Sequence, residues 1–361
     1  MSMSKTTPLA GLALSLLLAA APRTAGAAPL DPLAYAPLGA LNLAAGNYTL
    51  DTSGPAPTLR DGASNLLFTG VLQAQASGFN AQIAVFSFSS VQVAAGATIS
   101  ATGDKPLAWL SQGSISFAGT LDASGKQGGP QGAGLGGAGG PGGGAGGAGG
   151  GNPAQDGQGP GGGQGGFAGL GNGSWGEGGA FGGAGSNWNP ARTAAPAYGD
   201  LTQWLQAGSG GGGGGANLFG SGPGGGGGGG GVEFGALSFI TLAGDSKILA
   251  AGGAFNDGLA VNSGGGSGGG VLLHAPAISL LANLRPAIVD ASGFSGGRIA
   301  FFTGDGTVQG NQAGLTVGAF ASGNVGVITY NTLSPVPEPT TAVLMLLGAA
   351  LLLARRHTAA V

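Results

Sequence analysis

A five-residue unit recurs along this chain and constrains its fold more than any other feature. An apolar residue is followed by polar or small residues and a closing glycine, as in residues 50–54, 99–103, 121–125, 248–252 and 289–293, with weaker copies at 74–78 and 319–323. The closing glycines are 24, 25, 22, 127, 41 and 30 residues apart. Without a glycine-rich block of 106 residues the gap of 127 becomes 21, and 41 is close to two units. A period of about 22 residues therefore runs through the chain.

A repeat of this length is typical of a solenoid. The segments that flank the units alternate apolar and polar residues and end in glycine, which predicts strands and not helices, at residues 91–93, 114–117, 237–242, 271–273 and 298–302. The leucine and asparagine spacing of leucine-rich repeats is absent. We therefore predict an all-β fold, a parallel β-helix (β-solenoid) of about nine coils and about 40 Å length, interrupted by a large glycine-rich insertion.

The insertion spans residues 126–231, of which fifty are glycine. Glycine loses more backbone entropy on ordering than any other residue, and the block has no continuous apolar pattern, so a conventional core is excluded. Two interpretations stay open: a flexible linker, or layered polyglycine-II-like strands whose backbones pack closely. No strict Gly-X-Y period persists, which excludes collagen.

Aromatic side chains punctuate the glycine block. They could stack on sugar rings, but we favour a role in pinning the glycine strands to one another or to the neighbouring domain. The residues are Phe167, Trp175, Phe181, Trp188, Tyr198, Trp204 and Phe219.

The C-terminal tail has three parts in order. The box Val336, Pro337, Glu338 and Pro339 is held extended by its prolines, the apolar residues 340–354 would form a helix of roughly 22 Å, and Arg355 and Arg356 follow. The helix is short for a membrane span, and the arginines should stay on the cytoplasmic side. The tail resembles the PEP-CTERM sorting signal of Gram-negative bacteria. The alternative is an ordinary single-pass anchor.

That resemblance implies a cellular destination and a processing partner. Proteins with such tails are processed by an exosortase, a membrane protease-transpeptidase. The chain would then be exported, held transiently in the inner membrane by a short C-terminal transmembrane helix, and finally released or moved to the cell surface.

The N-terminus agrees with export. Lys5 precedes a 13-residue apolar run at 9–21, and Ala25 and Ala27 form a small-residue cleavage site, so residues 1–27 are predicted to be a signal peptide. The predicted organisation is then solenoid at 28–125, glycine-rich insertion at 126–231, solenoid at 232–334 and sorting signal at 335–361.

A second resemblance covers about residues 90–330. The segment 119–125 (GTLDASG), the glycine block and the stretch 264–273 resemble secreted bacterial proteins with adhesin-like β-helices. This resemblance implies a structural or adhesin-like surface protein of the biofilm matrix. Extracellular polysaccharide or further copies of the chain are the expected partners.

Composition narrows the function further. The chain has no cysteine, so no disulfide framework is expected, and residues 28–339 carry 7 Lys and Arg against 14 Asp and Glu. This mildly acidic segment has no basic patch, which argues against nucleic acid as a partner.

Catalytic signals are weak, so we predict no enzyme, no cofactor and no metal site. We interpret His274 as a structural residue whose hydrogen-bonding groups are satisfied. The alternative is a β-helical enzyme that binds or degrades polysaccharide, which would need clustered acids or an Arg or Lys base on one sheet face. Asp51, Asp122 and Asp290 share a repeat position, but we interpret them as solvated side chains, with Asp122 and Asp290 several coils apart. Arg285 and Arg298 flank Asp290 and are predicted to form the one local charge cluster; a weak cation or sugar site there is the minor alternative.

Overall fold

The computed structural model describes residues 29–76, 79–169, 174–189, 192–258, 261–282, 285–319 and 324–333. The predicted cleavage site at Ala25 and Ala27 and the whole sorting tail, from Val336 to Arg356 and beyond, lie outside these residues. Within them, no helix has both the length and the apolar character needed to cross a membrane.

The regular secondary structure of the described chain is almost entirely β. A 3-10 helix at Pro32–Ala34 comes first. The strands follow as β1 (Ala40–Leu43), β2 (Gly46–Asp51), β3 (Thr58–Asp61), β4 (Leu66–Thr69), β5 (Val71–Ala74), β6 (Gln82–Phe88), β7 (Ser90–Val93), β8 (Ala97–Thr102), β9 (Leu107–Ser111), β10 (Ile115–Phe117), β11 (Thr120–Asp122), β12 (Gly231–Ala236), β13 (Phe239–Leu242), β14 (Lys247–Leu249), β15 (Gly270–His274), β16 (Ala277–Leu280), β17 (Ile288–Asp290), β18 (Arg298–Thr303), β19 (Gln309–Gly310), β20 (Leu315–Thr316) and β21 (Val327–Thr332).

These strands form three sheets whose neighbours are mostly parallel. Sheet A has the order β1-β7-β10-β13-β16-β19, sheet B has β20-β17-β14-β11-β8-β2-β3-β4, and sheet C has β21-β18-β15-β12-β9-β6-β5. From β6 onwards the chain visits sheets C, A and B in turn, and each circuit lies beside the one before. The architecture is all-β and compatible with a β-solenoid.

The repeat sets the register of sheet B. The leading apolar residues of four units are paired neighbours and are all buried: Ile99, Leu121, Ile248 and Val289. The first unit is displaced by two residues, because Tyr48 and not Leu50 pairs with Ile99.

Three parts of the prediction are wrong in detail. Each sheet contains six parallel strands in series, which gives about six coils and not nine, and a rod of roughly 24 Å at 4.8 Å per strand. The unit at 74–78 is not a coil, because β5 runs antiparallel to β6. The gap of 41 residues is a single coil, because Ile248 pairs directly with Val289.

The interior of the solenoid is filled by alternate residues of all three sheets. Sheet C contributes its aromatic side chains. Trp109 and Phe234 stack with ring centroids 5.6 Å apart, and Phe301 and Tyr330 stack at 5.4 Å. Such in-register ring stacking adds to the energy of burial.

Sheet C is also covered on its outer face. The outward residues Ile83, Leu110 and Leu272 pack against Leu30 of the N-terminal segment and Phe181 of the glycine-rich insertion. A sheet buried on both faces explains why β9 and β15 are buried at every position, whereas strands of sheets A and B alternate.

The glycine-rich insertion and neighbouring glycine-rich segments that follow β11, β14 and β17 form an ordered array, which we call the glycine lattice. It comprises residues 123–129, 134–150, 151–169, 174–180, 207–216, 222–230, 250–254 and 262–269, and it continues into 291–297. Hydrogen bonds recur at every third residue, as when Gly208, Gly211 and Gly214 donate to the carbonyls of Gly229, Gly226 and Pro223. This threefold period is that of the polyproline II helix.

Two segments lie at the centre of the lattice. Residues 207–216 hydrogen-bond to six neighbouring segments, at 144–150, 151–158, 163–169, 174–177, 223–229 and 264–267. Residues 222–230 are also surrounded by six, at 123–129, 137–140, 144–147, 208–214, 253 and 264–267. Of the two interpretations of the block, the layered polyglycine-II-like arrangement is the one the structure shows.

Close packing requires glycine at the lattice centre. A Cβ on Gly211 would lie 2.3 Å from the Gly264 carbonyl oxygen, and one on Gly225 would lie 2.1 Å from the Gly211 carbonyl oxygen. Both distances are far below van der Waals contact, and the obstructing atoms belong to backbone that is itself hydrogen-bonded.

We predict that Gly211→Ala destabilises the protein by about 1–3 kcal/mol or more, because the lattice must open to admit the methyl group. The matched control is Gly318→Ala, where a Cβ meets nothing within 4 Å and φ lies outside the left-handed region. That variant should stay within about 0.5 kcal/mol of the parent. Chemical denaturation measures both, and equal losses would contradict the close-packed lattice.

Candidate functional site

The three repeat aspartates cap turns. Asp51, Asp122 and Asp290 each accept a hydrogen bond through Oδ1 from the backbone N–H two residues later, at 2.8, 3.0 and 2.8 Å. This is the Asx-turn geometry, in which the side chain replaces a backbone acceptor at the corner of the coil. The aspartates therefore stabilise turns, a role that the interpretation as solvated side chains did not predict.

The spacing of the aspartates also differs from the prediction. Asp122 and Asp290 both pair with Leu249, so one strand separates them, and they are not several coils apart. At roughly 4.8 Å per strand the backbones are about 10 Å apart. Within the described ranges, no three His, Cys, Asp or Glu side chains are grouped as metal ligands would be.

The structure does not assemble the charge cluster expected around Asp290. Arg285 Nε lies 4.0 Å from Asp245 Oδ1, and Arg298 Nε donates to the Tyr198 carbonyl at 3.0 Å. Asp290 Oδ1 accepts instead from Thr316 Oγ1 at 2.8 Å.

His274, the lone histidine of the described chain, ends β15 and is buried. Its Nε2 lies 3.0 Å from Oε1 of Glu233, a residue that the sequence did not single out. The imidazole crosses Gly235, where a Cβ would lie 1.9 Å from Nε2, so the glycine is required for this ring position.

An aromatic cleft of about 750 Å³ opens where the glycine lattice meets the start of β6. Three rings line it: Phe79, Tyr198 and Trp204. Asp200 and Gln206 provide polar groups beside the rings. The cleft is open and shallow, and it combines aromatic side chains with a few polar groups, as ligand-binding surfaces commonly do.

Two buried amide side chains hold the walls of the cleft together. Gln75 Nε2 donates to the Leu205 carbonyl at 2.7 Å, and Gln75 Oε1 accepts from the Leu205 N–H at 3.1 Å. Asn80 Oδ1 accepts from the Ala207 N–H at 3.1 Å, and its Nδ2 donates to the Gly142 carbonyl at 2.9 Å. These bonds fix the loop that carries Phe79 against the loop that carries Trp204.

A tight turn presents Trp204. The N–H groups of Gln203 and Trp204 donate to the Asp200 carbonyl, and Asp200 Oδ1 accepts from both the N–H and the Oγ1 of Thr202, at 2.9 and 2.7 Å. The preceding Gly199 has φ +81°, and a Cβ there would lie 2.4 Å from the Phe181 ring. The turn is therefore specified by backbone conformation as well as by capping.

Asp200 is an acceptor in this cleft. Burial raises the pKa of the Asp200 carboxyl, but hydrogen bonds from Thr202 and Gln203 and the charge of Arg298 outweigh it and lower the pKa below its usual value. Burial raises the pKa of Tyr198, whose hydroxyl donates to the Ala207 carbonyl at 2.9 Å. An ionised carboxylate beside aromatic faces can accept hydrogen bonds from sugar hydroxyls.

The aromatic residues of the insertion divide between two tasks. Phe181 is fully buried and packs edge-on against Tyr198, and Trp188 contacts Trp175 and Phe294 in the same manner, as pinning predicts. The cleft has a different composition. It combines Tyr198 and Trp204 with Phe79, which lies outside the block and carries no sequence signal for this site.

Comparison with protein-family models, with curated proteins and with solved structures found no match to this chain.

We predict that Asp122→Ala lowers stability by about 1 kcal/mol near neutral pH by removing the turn acceptor. Burial raises the pKa of Asp122, but the Ser124 hydrogen bonds and the Lys126 charge hold it below its usual value. The stabilisation is therefore present above an unfolded-state pKa of about 3.9 and is lost as the pH falls through the lower folded-state value.

Melting temperature against pH tests this prediction. The difference in melting temperature between Asp122→Ala and the parent should be largest near neutral pH and should decrease in acid. Asp122→Asn keeps an acceptor for the Ser124 N–H, so its melting temperature at neutral pH should lie between those of the parent and of Asp122→Ala. A gap independent of pH would contradict the assignment.

Proposed function

We propose that this protein is a non-enzymatic, exported surface protein that binds extracellular polysaccharide through the aromatic cleft. The cleft carries the proposal, because it places three aromatic side chains beside a carboxylate acceptor on a scaffold fixed by buried hydrogen bonds. Asp200 is the one carboxylate that lines it among the described residues, so neutral sugars fit better than uronic acids.

The sequence supports the export part of the proposal. The leader with Ala25 and Ala27 would direct export, and the Val336–Pro339 box with its apolar segment and arginines would be read by an exosortase. The protein would be anchored briefly in the inner membrane by a transmembrane helix and then act at the cell surface or in the biofilm matrix.

The architecture suits a structural role in such a matrix. We infer that the solenoid is a parallel β-helix of the adhesin type, and that the glycine lattice presents the cleft on its side. In this arrangement a ligand would bind without a conformational change, because both walls of the cleft are fixed to the lattice.

Trp204→Ala should reduce affinity for neutral polysaccharide at least tenfold, because one ring face of the cleft is lost. The matched control is Phe219→Ala, which removes an aromatic ring that is 62% exposed and lies outside the cleft. Calorimetric titration with a neutral glucan and with alginate measures the effect and the preference. Equal affinities for the two variants, or release of new reducing ends, would contradict the proposal.

Mass spectrometry of the protein from membrane, surface and medium fractions tests the sorting. We expect a mature chain that begins at Ala28 and has lost the residues after about Pro339. An intact C-terminus confined to the membrane fraction would support the ordinary single-pass anchor instead.

A further inference from the structure

A buried acid–base pair lies on the outer face of sheet C. Glu233 in β12 has no exposed side-chain surface, and the side chain of His274 in β15 is 6% exposed. Glu233 Oε1 accepts from the Leu30 N–H at 2.7 Å and lies 3.0 Å from His274 Nε2, although the angle is poor for a hydrogen bond. A proton must lie between two atoms this close, because their lone pairs would otherwise repel each other. Glu233 therefore fixes which ring nitrogen of His274 faces inward.

The other ring nitrogen of His274 is accessible. Within the described part of the chain, Nδ1 makes no hydrogen bond, and unlike Nε2 it is not fully buried. The two nitrogens lie on different edges of the imidazole, so Nδ1 points away from Glu233. Polar atoms in a largely buried site are usually hydrogen-bonded. Nδ1 is therefore the polar atom of this ring that a ligand can reach.

A cavity of about 510 Å³ adjoins His274, between the N-terminal segment and the ends of β12, β15 and β18. We call it the histidine pocket. Its other walls are mostly proline and leucine side chains: Pro29, Pro32, Leu237, Pro276 and Leu333. Apolar walls around one reachable polar group are typical of a small-ligand site, and proline walls lose little conformational freedom when a ligand binds. Among the described residues, none lines both this pocket and the aromatic cleft.

The charged groups around the pocket favour a neutral ligand. Glu233 Oε2 is buried and accepts no hydrogen bond from the described chain, so an anion beside His274 would meet an uncompensated carboxylate. Glu233 does not itself line the pocket, and Asp31 is exposed at the mouth, where its Oδ1 accepts from the Leu33 N–H at 2.9 Å. An ammonium held against His274 would therefore be desolvated without a direct partner, which is costly.

We propose that the histidine pocket binds a small neutral molecule that carries an apolar ring and a hydroxyl group, a phenol or a cyclic alcohol, whose hydroxyl hydrogen-bonds to His274 Nδ1. A hydroxyl group suits this nitrogen in either protonation state, because it donates to a bare nitrogen and accepts from an N–H. The ring of the ligand packs against the proline and leucine walls, which removes apolar surface from water. This site is separate from the polysaccharide cleft and does not depend on it.

Titration of the purified full-length protein with para-fluorophenol, followed by fluorine NMR, tests the ligand class. Its affinity should be at least about tenfold higher than that of fluorobenzene, which has the same ring without the hydroxyl. It should also exceed the affinities of para-fluorobenzoate and para-fluorobenzylamine at least about tenfold. Absence of saturable binding, equal affinities for para-fluorophenol and fluorobenzene, or tighter binding of the anion or the cation would overturn the proposal.

Two matched substitutions locate the site and leave the buried pair unchanged. Leu237 lines the pocket and is 36% exposed, so Leu237→Trp should fill the space and weaken para-fluorophenol binding at least about tenfold. The control is Leu281→Trp, at a leucine that is 45% exposed and lies outside the pocket. That variant should bind within about twofold of the parent. The same affinity in both variants would place the ligand elsewhere and exclude the histidine pocket.

NMR of isotope-labelled histidine reports the hydrogen bond directly. The Nδ1 resonance of His274 should shift when para-fluorophenol binds and should stay in place with fluorobenzene. His357, in the C-terminal tail, is the internal reference and should not respond to either compound. A saturable effect of para-fluorophenol that leaves the His274 resonance unmoved would refute the assigned contact.

Discussion

Direct backbone-to-backbone packing is the constraint on which the rest of this structure depends. In the glycine lattice, carbonyl oxygens occupy the positions that side chains would take: a Cβ on Gly212 would lie 2.1 Å from the Gln164 oxygen, and one on Gly264 would lie 1.8 Å from the Glu177 oxygen. The space saved lets two central segments each hydrogen-bond to six neighbours. The entropy lost by ordering glycine is thus opposed by hydrogen bonds and dispersion contacts and not by apolar burial.

The lattice and the solenoid are continuous at one corner of the coil. Lattice segments follow β11, β14 and β17, the last strands of successive circuits in sheet B, and lead back into β12, β15 and β18 of sheet C. The inserted segments therefore leave and return without disturbing the register, which holds from Leu107 through Val232 and Val271 to Ile299. The same insertion then covers the outer face of sheet C through Phe181, Leu201 and Leu205. The cleft lies at this second junction.

The sequence predicted the parts of the fold that depend on local periodicity. The four units led by Ile99, Leu121, Ile248 and Val289 stack as their repeat indicates. The predicted number of coils is too high for two reasons. The circuit that closes the gap of 41 residues contains a glycine-rich segment about as long as a second circuit. The unit at 74–78 matches the repeat in sequence, but it begins in the antiparallel strand β5. The cleft and the contact between Glu233 and His274 could not be predicted from the sequence, for another reason. Their residues lie far apart in the chain, as Phe79 and Trp204 do, and come together only through long-range hydrogen bonds.

The central segment at 207–216 has bonded neighbours that extend from residue 144 to residue 267. A chain that emerges from a membrane N-terminus first cannot complete this array until the later neighbours have also appeared. Until then the glycine-rich stretch has few apolar side chains with which to collapse. Under the export proposed above, such a segment would stay unfolded while it crosses the membrane and would become ordered only afterwards. The composition that makes the complete lattice rigid would then also keep the incomplete chain flexible.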